Sequence, residues 1–406
     1  MKNFKLTMVT ASWTMLACGA FAQAPAAQTQ AAAPATAPVP APAQAPAAEA
    51  VVVASNEDRS YVSDYTGKNA EVNLFDEASK KETPVTFKAS NPGEIVFSGG
   101  GGELTVSKKT ASALKVIAKL DSNWNRARNA YNQGNWDDVV AYMRPMVYPL
   151  IPLLSLPEET FKGYGYVDMY LAALVNAGRL KEAESLVNAI YLNDCAPQII
   201  SSALSVANAL AAAGNVKAAM AIAERVPFTG AYVSVIPDLM NTLGELRRRG
   251  MVEQAGLLYT KITGVDSPYK TEATLWMVFC DLSMNKKMSA EIYLSKMEIL
   301  QTAREFSLLQ MARGMLAAKA EKPDYSKVLD LYAEGIVFGS LSSPWMPELL
   351  YNAGMTYKKL GKQYPANEIF SQMASLYPDD PFTAKGQKEI VKVERKKKAA
   401  EEDEDE

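Results

Sequence analysis

Glu158 and Glu159 stand side by side in a stretch broken by Pro145, Pro149, Pro152 and Pro157. Two carboxylates flanking one bond are the machinery of glycan cleavage. Neighbouring residues on a loop point apart, however, so this pair is expected to diverge into solvent. The four glycines 99–102 invite a phosphate-cradle reading. They lack the G-x-x-x-x-G-K-[ST] spacing and a βαβ setting, so a hairpin turn is expected there, and Gly67-Lys68 fails the same test. Cys195 and Cys280 are the thiols outside the N-terminal segment. They fall three helical units apart, beyond the ~7 Å Cα separation that a disulfide tolerates, and are expected as small buried side chains.

The chain has no histidine. That removes Ser-His-Asp and Cys-His catalysis, histidine-ligated zinc and c-type haem attachment. The expectation is a protein that is not an enzyme and uses no cofactor or metal.

These residues sit in a chain of five differently composed segments. Residues 1–22 have the layout of a signal peptide: Lys2 and Lys5, a short apolar run at 6–16, and Ala20-Phe21-Ala22 as an A-x-A cleavage site. Met15-Leu16-Ala17-Cys18 offers a second route, lipidation at Cys18, which would make an outer-membrane lipoprotein facing the periplasm. Residues 23–50 are almost entirely Ala, Pro and Gln, a composition that cannot pack a core and is expected as a disordered linker. Residues 51–110 hold short alternating runs at 51–53, 71–75, 84–89, 94–98 and 103–107. Turn residues separate them, which predicts a small antiparallel β module of three to five strands.

Residues 111–390 are expected to be helical throughout. Apolar residues repeat at helical spacing over 167–190 and again over 204–226, each time interrupted by a glycine. Turn marks recur at Gly134, Gly178, Gly214, Gly250, Asn285 and Gly361, with one more expected within 317–324. About seven helical hairpins result, none able to bury its own face alone, so stacking is required. Pro227, Pro237, Pro268, Pro344, Pro347 and Pro378 are expected between helices. The proline-rich 145–157 stretch should be an irregular crossover. Residues 391–406, a basic run followed by six acids, are expected as a charged, disordered tail.

The net charge of −3 hides the body's own balance. Without Lys2 and Lys5 it is −5, and without the six terminal acids as well it is +1. A near-neutral body has no field to hold a phosphate backbone, so nucleic acid is not an expected partner.

The repeats resemble tetratricopeptide repeats. Ala127, Tyr131, Gly134-Asn135-Trp136 and Val139 stand at that family's small, aromatic and turn positions, as do Gly354, Tyr357, Leu360-Gly361-Lys362 and Phe370. Ala183, Ala219 and Ala255 fill the small position of second helices. Leu171 and Val278 depart from the pattern. The resemblance implies a right-handed α-solenoid with a concave groove lined by first helices. In this sequence that register gives Trp124, Arg128, Tyr131, Asn132, Asp168, Asn176, Asn208, Arg247, Arg248, Tyr351, Lys358 and Lys359. Asn and Arg suit an extended peptide because they hydrogen-bond its backbone or carboxylate. With the signal and spacer, the layout is similar to envelope tetratricopeptide proteins of Gram-negative bacteria. The expected function is a periplasmic scaffold for a protein or peptide partner, its oligomeric state left open. The alternative is binding of peptidoglycan or another envelope polymer by the 51–110 module.

Overall fold

A computed structural model describes residues 70–110, 113–119 and 122–391. The signal segment, Cys18, the Ala/Pro/Gln stretch, the 51–53 run and the 392–406 tail lie outside the described residues. The described part is mainly helical, with a small antiparallel sheet ahead of the helices.

Five strands form that sheet: β1 (Glu71–Asp76), β2 (Lys81–Ser90), β3 (Glu94–Gly99), β4 (Gly102–Ser107) and β5 (Leu114–Ala118), in the order β4-β3-β2-β1-β5. Period-two alternation puts Val72, Leu74, Val85, Ile95, Phe97, Val106, Val116 and Ala118 on the buried face. The glycines at 99–102 close the β3–β4 hairpin, with Gly102 at φ +120°. β5 was not expected, since its five residues fall in the region assigned to helix. Its register pairs Leu74 with Val116 and Val72 with Ala118, so burial on that face outweighs local pattern. The outer edge of β5 is covered by the crossover: the Val116 amide donates to Thr160 O at 2.7 Å and the Lys162 amide to Val116 O at 3.0 Å.

Fifteen helices follow among the described residues. They are α1 (Ser122–Asn132), α2 (Trp136–Val147), α3 (Tyr164–Asn176), α4 (Leu180–Ala189), α5 (Pro197–Ala212), α6 (Val216–Glu224), α7 (Ile236–Arg248) and α8 (Val252–Thr263). The remainder are α9 (Lys270–Ser283), α10 (Lys287–Lys296), α11 (Phe306–Ala318), α12 (Tyr325–Val337), α13 (Met346–Lys359), α14 (Gln363–Leu376) and α15 (Pro381–Glu389). The crossover between α2 and α3 is a 3₁₀ segment, Tyr148–Ser155, as its prolines require.

Six inter-helix turns share one construction. Gly134, Gly178, Gly214, Gly250, Asn285 and Gly361 all have positive φ, from 61° to 99°. In each, the next residue's amide reaches back over the turn, as Arg179 N does to Leu174 O (2.9 Å) and Lys286 N to Asp281 O (2.8 Å). This is the bond that satisfies an orphan carbonyl at a helix end, and it needs the left-handed conformation that glycine adopts freely. The turn before α12 is different: Asp324 caps the helix, accepting from the amides of Ser326 (3.0 Å) and Lys327 (3.3 Å).

Two prolines expected between helices, Pro237 and Pro347, lie instead in the first turns of α7 and α13. The missing N–H is an orphan there in any case, so the position costs nothing. Pro145 lies inside α2. Gly354 shows why a small residue is needed on a first helix: a Cβ there would sit 2.5 Å from the Phe370 ring of α14. Ala127, Ala183, Ala219 and Ala255 are fully buried in comparable places.

Candidate functional site: a polar hollow and the buried pairs around it

First helices touch one another along part of the stack: α3 packs on α5, and α5 on α7. Polar side chains stitch these contacts. Asp168 of α3 accepts from Ser202 Oγ at 2.5 Å and from Gln198 Nε2 at 3.1 Å, both on α5. Ser201 Oγ of α5 donates to Asp238 Oδ2 of α7 at 2.6 Å. Between α3 and α5 this leaves a hollow of about 440 Å³, walled by Asp168, Ala172, Val175, Asn176, Ser201 and Ser205. Small side chains open the space, and hydroxyl, amide and carboxylate groups line it. That suits a backbone laid across the helices more than a single apolar ligand.

Asp168 and Asn176, both expected groove residues, line this hollow. Asn176 Nδ2 donates to Ala172 O at 2.9 Å, leaving its side-chain carbonyl as an acceptor. Asn208 is half-buried two turns along α5 from Ser201. On α1, Arg128 and Asn132 are exposed, and Tyr131 packs edge-on against Trp136 at 5.2 Å. Trp124 is half-buried, edge-on to Tyr166 of α3 at 4.7 Å.

The C-terminal half differs from the expectation. Arg247 does not line an open surface. It is 6% exposed, lies 4.4 Å from the Trp276 ring centre and 4.6 Å from that of Phe279, and makes paired hydrogen bonds to Glu348 at 3.0 and 2.5 Å. Burial pushes its guanidinium down, and the Glu348 carboxylate more than offsets this, holding it above its usual value. The physical reason is proximity: the end of α7 meets the start of α13, so a surface arginine became a buried tie. Arg248 is half-buried and bonded to Glu245. Lys358 is held by Glu389 of α15 at 2.5 Å. Tyr351 packs on Phe370 and Phe382. Lys359 is exposed, beside the Tyr325 ring. The structure therefore brings Asp168 and Asn176 together on one hollow and separates the C-terminal candidates from it.

A second buried carboxylate ties α2 to α4. Glu182, 2% exposed, receives two 2.8 Å bonds from Arg144, one of 2.7 Å from Tyr170 and one of 3.3 Å from Tyr148. Burial and then the Glu182 charge push both phenols up, so they stay protonated donors. The four bonds converge on one carboxylate and tie α2 and the 3₁₀ segment to α3 and α4. Glu158 and Glu159 are both exposed on the turn before Thr160. Cys195 and Cys280 are free and buried, their thiols each pushed up to about 12 by burial. Trp345 is fully buried, its indole N–H donating to Ser307 Oγ at 2.7 Å. Among the described residues no helix is long and apolar enough to cross a membrane, and no cluster of three His, Cys, Asp or Glu is placed to hold a metal.

Gln198, Ser201, Ser202 and Ser205 were missed from sequence. Their signal was present: with Asn208 they form a polar stripe at helical spacing on α5, opposite Ile199, Ala203, Val206 and Leu210. No known family model matches the chain, and no curated protein matches it.

Proposed function

We propose that the chain is an exported, non-catalytic scaffold that holds an extended segment of a partner protein across α3, α5 and α7. In this reading the fifteen helices form a right-handed solenoid of seven tetratricopeptide-like hairpins, with α15 as a cap. The 1–22 segment carries the chain to the periplasm. The observation that supports the reading best is the side-chain ladder from Asp168 through Ser202 and Ser201 to Asp238, with an open hollow beside it. It fixes the helices without consuming Asn176 or Ser205 against another helix.

The test is a crosslinking pull-down from cell envelopes with the full chain and with Ala172→Arg and Ser205→Arg, which fill the hollow. A dedicated partner recovered with the natural chain and lost with both variants supports the groove. Equal recovery with variants of unchanged melting temperature contradicts it. Charge reversal at Arg247 is unsuited to this purpose, because it would bury a carboxylate against Glu348.

A further inference from the structure

The β-sheet, the 3₁₀ segment and the end of α4 with the loop after it line a second, chemically different cleft. Its volume is about 500 Å³, within the range of small-ligand sites. Phe87 of β2, Pro149, Ile151, Pro152 and Leu154 of the 3₁₀ segment, and Tyr191 after α4 form apolar walls. Tyr191 is 64% exposed, and it also walls a neighbouring hollow of about 400 Å³ that holds Arg225 and Lys261.

Charge is distributed unevenly around this cleft. On the sheet side Lys108 is half-buried, and its ammonium donates to Ser90 Oγ at 2.7 Å. Among the described residues it has no carboxylate partner. On the helical side Asp194 is exposed and has no cation partner among the described residues. The thiol of Cys195, which also lines the cleft, is a neutral wall.

We propose that this cleft binds an apolar group carrying one carboxylate, with the carboxylate at Lys108 and the apolar part against Ile151, Pro152 and Tyr191. Apolar walls supply the driving force, and a half-buried ammonium with only a hydroxyl partner supplies the orienting contact. Asp194, which also lines the cleft, disfavours an anion beside itself and so biases the carboxylate toward Lys108. Two sources present this chemistry: the last residue of a peptide chain and a free aliphatic acid. The site is separate from the groove over α3 and α5 and stands without it.

Titration calorimetry on the full chain tests the assignment with N-acetyl-leucyl-phenylalanine, octanoate and the amide of each. Either acid should bind at least tenfold more tightly than its amide. Lys108→Ala should bring the acid down to the amide's level, and Ile151→Arg should abolish binding of both, with melting curves that show each variant folded. Asp194→Asn should not weaken the acid. Lys108-dependent binding of the dipeptide acid alone assigns the site to chain ends, and of octanoate alone to free acids. No binding of either acid at millimolar concentration would overturn the proposal. So would acid and amide of equal affinity, or a loss at Asp194→Asn matching that at Lys108→Ala.

Discussion

Arg247 and Glu348 are 101 residues apart in sequence and joined by two hydrogen bonds in a site closed to solvent. Trp276 and Phe279 of α9 cover the guanidinium, and Trp276 in turn meets Trp345 edge-on at 6.3 Å. α7, α9 and α13 are thus held at one point. The binding groove we propose over α3, α5 and α7 lies to one side of that point.

Breaking the pair from one side leaves a buried, uncompensated charge, which costs about 3–5 kcal/mol. Glu348→Ala and Arg247→Ala should each lower the unfolding free energy measured in urea by that order. Arg247→Met with Glu348→Leu should lose much less, because two apolar side chains of similar volume strand no charge. Equal losses in the single and double variants would show that packing, and not the pair, holds this junction.

Glu272 gives a pH signature. Burial raises its pKa, and Arg304, bonded at 3.1 Å, offsets only part of this. A carboxylate raised in the folded state binds its proton more tightly there than in the unfolded chain. Its favourable contribution is complete below the unfolded value of about 4.5 and is lost as pH rises through the folded one. Glu272→Gln should therefore match the natural protein at pH 4 and gain stability relative to it by pH 7. Urea midpoints across that range measure the difference, and a loss at pH 7 would mean the Arg304 bond outweighs desolvation.

The turns make a third prediction. Gly214 sits at φ +90° and Asn285 at φ +61° in the same construction. Gly214→Ala should cost about 1–2 kcal/mol, the penalty of a Cβ in the left-handed region. Asn285→Gly should be neutral or slightly stabilising, because asparagine already tolerates that region imperfectly. Thermal melts of the two variants should move in these unequal ways.

Local chemistry made much of this fold legible. Gly134, Gly178, Gly214, Gly250 and Gly361, marked in the sequence as helix turns, all have positive φ, and four strands lie where period-two runs stand. β5 was invisible because Leu114–Ala118 gains its identity from β1, some forty residues away, and from the crossover at Thr160. Of the residues lining the hollow between α3 and α5, two were legible. Asp168 and Asn176 follow from helix register, and the α5 serines were overlooked because small hydroxyls look neutral until the neighbouring helix supplies a carboxylate. Arg247 could not be placed: next to Arg248 and Arg249 at a helix end it looks solvated, and only contact with α13 buries it. The apolar cleft at Lys108 depends on three segments meeting, which no single stretch announces.

Site-specific photocrosslinking tests the central claim most directly. A photoreactive residue placed at Asn176 or Ser205 should capture the same partner segment in intact envelopes. One placed at Leu257, which is 62% exposed on α8, should capture none. Crosslinks at Leu257 with none at Asn176 or Ser205 would contradict a groove over α3, α5 and α7.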